Sequence, residues 1–305
     1  MEIVVFGAGS LGSLVGGVLA REHDVTLVAR QAHADAVRTR GLRIEGSLEA
    51  EVSPAATTDG RGLEADLAVV TVKSFDTESI AETIATGSFD AVLSLQNGMG
   101  NEEVLASALD AEVLAGTATY GAILQRPGIV ECTGLGKIVL GDHRGGHSDV
   151  ADAVGEAFSG AGLETTVAED MPSRLWEKLA VNAGINAITA LTETENRAVL
   201  EPPADDVARA ATKETARVAR ADGVELSNRE ALAAMERVAE STAANTSSMA
   251  QDLQVGRRTE IDAINGYVVD RGETLAVETP TNRLLAALVR TWERGQGVRD
   301  DSLAE

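Results

Sequence analysis

The stretch EIVVFGAGSLGSLVGGVL, residues 2–19, decides the fold of the first half of the chain. Residues 2–6 form a short, mostly apolar run of strand length. The turn Gly7-Ala8-Gly9-Ser10-Leu11-Gly12 follows, and then Leu14, Val15, Val18 and Leu19 recur at helical spacing. Strand, glycine turn and helix in that order are the context in which G-x-G-x-x-G cradles a dinucleotide pyrophosphate. Gly7 permits the tight turn, Gly9 lets the backbone approach the phosphates, and Gly12 lets the helix close on the strand. The free N–H groups and positive dipole end of the helix face the anion. An ordinary glycine-rich turn is the competing reading, and the flanking strand and helix count against it.

Working outward, VTLVA at 25–29 reads as a second strand ending at Arg30. A site selective for NAD places an acid near that strand end, to hold the ribose 2′-hydroxyl. No acid occurs between Val25 and Ala34, whereas Arg30 can stack on adenine and meet a 2′-phosphate. That favours NADP (as NADPH) over NAD, although an exposed arginine after a strand is equally ordinary. Residues 42–52 look like a short extended pair. LAVVTV at 67–72 is a buried strand followed by Lys73, at the sheet edge where ligands bind or as an exposed strand-end lysine. AVLSL at 91–95 leads into Gln96-Asn97-Gly98 and a helical pattern at 102–109, which places Asn97 at the same edge. Strands are expected at 113–119, 138–140 and 164–167, a loop at 119–122, and a helix at 149–160. The expectation for residues 1–169 is a Rossmann-type α/β domain on a largely parallel sheet.

From Asp170 the alternating pattern stops, and residues 170–305 read as an all-α domain. RLWEKLAVNAGINAITALTETEN, residues 174–196, places Lys178, Asn182 and Asn186 at every fourth position of an otherwise small and apolar run. On a helix these form one slanted stripe about 12 Å long. An ammonium and two amides on a buried line need partners, either within the protein or in a polar ligand. Further helices are expected at 204–221, 229–242, 261–271 and 283–296, with a polar, frayed tail at 299–305. A polar cluster, Asn245-Thr246-Ser247-Ser248-Met249 with Gly256-Arg257-Arg258-Thr259-Glu260, interrupts the helical pattern. Thr259 also suits a plain helix N-cap.

Composition bounds the partners. The formal net charge is −22, with 48 acids against 26 basic residues, of which only Lys73, Lys137, Lys178 and Lys213 are lysines. Acids spread along the chain with scarce lysine resemble proteins of salt-accumulating halophiles. Nucleic-acid binding, which needs a basic face, is not expected. The single cysteine, Cys132, fits a reducing cytoplasmic setting. No apolar run reaches the 18 residues of a membrane span, and no signal-peptide pattern opens the chain, so no membrane partner is expected. The amphipathic helices are compatible with a homodimer interface and equally with solvent.

No His, Cys or acid cluster has metal-ligand spacing, so no metal is expected. The four histidines lie in stretches that look like surface loops. Of the two lysines in the second domain, Lys213 sits on a charged helix and Lys178 on the apolar one. A desolvated lysine beside a nicotinamide can serve as general acid in carbonyl reduction.

These motifs, in this order, resemble the ketopantoate reductase family over nearly the whole chain. The likeness rests on the glycine turn, Lys73, Gln96-Asn97-Gly98, and Trp176-Glu177-Lys178-Leu179 with the asparagines that follow. It rests also on Ser247-Ser248-Met249-Ala250-Gln251-Asp252 and Thr259-Glu260-Ile261-Asp262 with Asn265-Gly266. The resemblance implies NADPH-dependent reduction of 2-dehydropantoate to (R)-pantoate, a step toward pantothenate and coenzyme A. It implies Lys178 as the general acid and Asn97 between nicotinamide and substrate. Asn182, Asn186, Asn196, Asn245 and Ser248 would hold the substrate, and Glu260 would contact the nicotinamide ribose and orient Lys178. Gly7, Ala8, Gly9, Ser10, Leu11, Gly12, Arg30, Lys73 and Gly121 would bind the cofactor. A relative acting on another branched 2-keto acid or an imine, and an NADP-binding sensor without turnover, are the alternatives.

Overall fold

The computed structural model describes residues 1–299, and the tail expected at 299–305 lies outside them except for Arg299. The chain divides into two compact units. The first comprises Met1–Gln96 and Gly100–Met171, and the second Asn97–Met99 and Pro172 onward.

The first unit opens with β1 (Glu2–Phe6), α1 (Ser10–Leu19), β2 (Asp24–Val28) and α2 (Gln31–Arg40). It continues with β3 (Leu42–Gly46), β4 (Ala50–Val52), β5 (Ala55–Thr57), β6 (Glu64–Val70), α3 (Thr77–Ile84), β7 (Ser88–Ser94) and α4 (Asn101–Ala108). It closes with β8 (Glu112–Ala118), β9 (Gly121–Arg126), β10 (Ile129–Gly134), β11 (Ile138–Asp142), α5 (Asp149–Ala161) and β12 (Thr165–Val167). Eight strands form one sheet in the order β12-β11-β8-β7-β6-β1-β2-β5. All neighbours in it are parallel except β8 and β11. The central strands β1 and β6 run through near-continuous buried apolar stretches, Ile3–Phe6 and Leu67–Val70, because both faces of such a sheet are covered there.

A second sheet runs β4-β3-β10-β9: its antiparallel β3–β4 pair is the extended pair expected at 42–52, whereas the addition of β10 and β9 was not expected. The loop read at 119–122 ends two residues early: Gly121 begins β9, which pairs antiparallel with β10. Helix α1 packs against strands of both sheets. A Cβ on Gly16 would lie 2.5 Å from Leu27 of β2, and one on Gly17 would lie 2.8 Å from Leu42 of β3. Leu14, Val15, Val18 and Leu19 on this helix are all fully buried, each worth about 1.5–3 kcal/mol relative to exposure.

His33 corrects the surface-loop reading of the histidines. It lies on α2 and is only 4% exposed. Its Nδ1 accepts from the Gly128 N–H at 3.0 Å, so Nε2 carries the proton toward Ser13 Oγ, also at 3.0 Å. Burial lowers its pKa from the ordinary 6.5. The unfolded chain therefore binds this proton more readily than the folded one. The stabilisation is complete above pH 6.5 and is lost as pH falls through the folded value. We expect the thermal midpoint to drop on acidification from pH 7.5 to 5.5, and His33→Gln to flatten that slope by up to about 1.4 kcal/mol per pH unit. An unchanged slope in the variant would remove His33 as its source.

The second unit is helical, as expected. It contains α6 (Met171–Thr192), α7 (Ala204–Ala221), α8 (Asn228–Ser241), α9 (Ser248–Gln254), α10 (Tyr267–Thr274) and α11 (Pro280–Gly295). Ser227 and Glu230 close α8 with a reciprocal capping box. The helix expected at 261–271 is not continuous α: Asp262–Gly266 forms a π-helical turn ahead of α10. Such turns widen the helix and depend on contacts from outside it. Among the described residues no helix is long and apolar enough to cross a membrane.

Candidate active site

Within the first unit, strand register fixes the geometry of the cofactor residues. Val28, Phe6, Val70 and Ser94 stand side by side at the carboxyl ends of β2, β1, β6 and β7. The segments that follow them carry Arg30, the glycine turn, Lys73 and Gln96 respectively. The sheet order reverses direction at β1, with β2 on one side and β6 on the other, which is where open α/β sheets bind ligands.

Gly7 adopts φ +97°, a conformation that a side chain would strain. Its N–H and that of Ala8 both donate to Val28 O, at 3.2 and 3.0 Å. Thr71, a residue not singled out from sequence, clasps the turn by donating to Gly7 O at 2.9 Å. A Cβ on Gly12 would fall 2.4 Å from that hydroxyl and 2.5 Å from Gly7 O. Gly9 differs: a Cβ there would meet nothing nearer than 3.8 Å. Open space above Gly9 and a helix N-terminus with no side-chain cap leave donors for an anion. The residues present thus fit a dinucleotide pyrophosphate. Ser10 is partly committed, because its Oγ accepts from Leu124 N–H of β9 at 3.0 Å. Arg30 is exposed at the start of α2, and Lys73 is half-buried ahead of a 3-10 turn at Ser74–Asp76. Gly121 pairs with Gly134, and a Cβ there would lie 2.4 Å from Thr133 Oγ1, so strand packing by itself explains this glycine.

The remaining predicted residues belong to the second unit. Asn97 Nδ2 donates to Glu260 Oε2 at 3.2 Å, and Met99 N–H donates to Ala263 O at 3.0 Å. Gly98, at φ +82°, has room for no Cβ, since Ala263 O and Cβ would both lie 2.5 Å away. The tripeptide is therefore seated on the turn that carries Glu260, which is 5% exposed.

On α6, Lys178 and Asn182 are half-buried and Asn186 is 6% exposed. Among the described residues, none forms a hydrogen bond with the carboxamide of Asn182 or Asn186. One turn further on, Thr189 Oγ1 and Ser247 Oγ lie 2.8 Å apart, and Ser247 caps α9 through Ala250 N–H. That seats exposed Ser248, the first residue of α9, beside the same helix. Asn196 is built into the framework instead. Its Nδ2 donates to Thr242 Oγ1 at 2.9 Å, its N–H donates to Asn245 O at 3.0 Å, and its Oδ1 is buried with no partner among the described residues.

The turn at 259–266 is tethered by residues that sequence reasoning missed. Asp262 meets Arg290 at 2.8 Å and Arg299 at 2.7 Å. Burial alone would raise the Asp262 carboxyl, but hydrogen bonds from Arg299 and Arg290 outweigh it and hold the pKa below the ordinary value. Arg299, expected to fray, is thereby held. Asn265 donates to Ala183 O on α6 at 3.1 Å and to Asn282 Oδ1 at 2.9 Å. Only partners remote in sequence reveal these roles.

A parallel sheet with an uncapped glycine turn, followed by a helical unit that carries a lysine–amide stripe on one helix and a paired amide and carboxylate at Asn97 and Glu260, defines the dinucleotide-binding reductases as the class. Residues 3–145 match the family described as ketopantoate reductase PanE/ApbA, and residues 170–293 match its C-terminal domain. The chain belongs to the ketopantoate reductase family. It is 44% identical over 302 residues to a 2-dehydropantoate 2-reductase of Halobacterium salinarum, covering 96% of this chain and 99% of that one. The fold matches a PanE/ApbA family ketopantoate reductase from Ralstonia eutropha with TM-score 0.89 and 36% identity, over 97% of this chain and all of that one. It also matches a D-mandelate dehydrogenase, solved with NADH and anilino(oxo)acetate, with TM-score 0.90 and 25% identity. That match covers 98% of this chain and 100% of the other.

Proposed function

We propose that this chain reduces 2-dehydropantoate to (R)-pantoate with NADPH. The observation that carries the reading is the polar line on α6: two carboxamides with no hydrogen-bond partner among the described residues, at helical spacing from Lys178 in an otherwise buried face. Neither amide is among the sealed, unpartnered polar atoms, so both stay open to a ligand's acceptors. A 2-keto acid, with one carboxylate and one carbonyl, offers acceptors for both amides and for the ammonium.

When bound, the nicotinamide supplies the hydride for C2 of the substrate. Lys178 donates a proton to the carbonyl oxygen as charge develops there. Asn182 and Asn186 hold the substrate's polar end, with Ser248 and the Asn245 backbone beside them. Asn97, fixed by Glu260, presents its amide to the reacting pair, and the Glu260 carboxylate receives the nicotinamide ribose hydroxyl. Residues 7–12 bind the pyrophosphate, and Arg30 and Lys73 bind the adenosine and phosphate portions.

NADPH oxidation followed by absorbance in molar KCl tests this, with ketopantoate, ketoisovalerate or no keto acid. We expect ketopantoate to give the highest kcat/KM; no turnover with any keto acid would end the enzyme reading. A second reading, another 2-keto acid with NADH, draws on the likeness to D-mandelate dehydrogenase, and preference for that pair would select it. Arg30→Ala is expected to raise KM for NADPH about 10-fold, the lower end for a charged hydrogen bond to phosphate, and to leave KM for NADH unchanged. Equal changes for both nucleotides would show that Arg30 does not read the 2′-phosphate.

A further inference from the structure

The turn that carries Glu260 is gripped from the far end of the chain. Glu293, in the last turn of α11, is fully buried. Its Oε1 accepts from both the N–H and the hydroxyl of Thr259, each at 2.7 Å. Thr259 Oγ1 in turn accepts from Ile261 N–H at 3.2 Å. The peptides on both sides of Glu260 are therefore referred to one carboxylate oxygen. Glu293 Oε2 takes Arg299 Nη1 at 2.7 Å, and Arg299 Nη2 spans the two oxygens of Asp262 at 2.9 and 2.7 Å. Glu293 thus holds residue 259 directly and residue 262 through Arg299, bracketing Glu260 without touching it.

A fully buried carboxylate is tolerated only when it is paired and hydrogen-bonded, and these bonds converge on a single short segment. Ordinary helix capping does not need them, because a threonine hydroxyl alone caps a first turn. What the clamp adds is direction. The π-helical turn at 262–266 departs from α geometry, so a regular helix does not set the direction of the Glu260 carboxylate. With Thr259 and Asp262 pinned, that carboxylate meets Asn97 Nδ2 at 3.2 Å.

We propose that Glu293, with Arg299 as its counterion, is a positioning residue that aims Glu260. The proposal rests on the reading that Glu260 belongs to the active site. The test is a pair of double-mutant cycles in the full chain. Glu293→Gln and Thr259→Val are made alone and combined with Glu260→Gln, and kcat, KM and the thermal midpoint are measured for each. We expect each single variant to lower kcat by about 10- to 100-fold, the scale of a misplaced catalytic group. We expect no further loss when either is combined with Glu260→Gln, and recovery in Thr259→Ser, which keeps the hydroxyl. If Glu293→Gln fails to fold, the Thr259→Val cycle decides alone. Losses that multiply in the Glu260→Gln background, or single variants with normal kcat and only a lower thermal midpoint, would overturn the positioning role while the site reading stands. Normal kcat in Glu260→Gln itself would sink both.

Discussion

Replacing Lys178 with alanine should lower kcat by a factor on the order of 10² to 10⁴, the range for loss of a general acid, and leave the fold intact. The position makes the experiment clean. Lys178 is half-buried in the interior of a 22-residue helix, and alanine is the strongest helix former there. Neighbours Leu179 and Ala180 are buried and keep their packing. The thermal midpoint in molar KCl should therefore move by no more than a few degrees, as for a change that removes no core packing. A variant that keeps near-normal kcat would remove Lys178 from the mechanism, and the stripe on α6 would then be a recognition surface only.

Trp176→Ala should be the most destabilising of these substitutions. Trp176 is 2% exposed and is one of the largest fully buried side chains. Its ring packs against Tyr267, with centroids 5.9 Å apart. It thereby joins α6 to the start of α10, directly after the π-helical turn. Truncating a buried tryptophan costs about 3–5 kcal/mol through lost transfer energy and the cavity left behind. For a unit of this size that lowers the midpoint by roughly 10 °C. Calorimetry should find the loss in the transition of the helical unit. A shift under about 2 °C would mean that the site collapses around the smaller side chain.

The sequence is most legible where local pattern and tertiary role coincide. The strand–glycine–helix opening, the strands leading to Lys73 and Asn97, and the four-residue polar step on α6 each follow from spacing within about twenty residues. The second sheet is less legible. Its β9 strand is only partly covered and shows no clean alternation, and its pairing with β10 contains register shifts. His33 sits in a polar helix with little apolar signal, so its burial depends on Gly128, 95 residues away. The turn at 259–266 is set by Glu293, Arg299 and Asn282, none of which its own residues announce. Long-range hydrogen bonds decide these features, and periodicity carries no trace of them.

The assignment of Asn97–Met99 to the helical unit has a consequence for anyone who would recombine this chain. A cut after Met171 looks like a natural seam in the primary structure, yet it severs the helical half from three residues encoded far upstream. A fragment starting at Pro172 would lose the donors to Glu260 Oε2 and Ala263 O. Chimeras assembled from contiguous gene segments must therefore take that upstream tripeptide from the same parent as the helices, or reproduce its fit to Ala263 in the new partner.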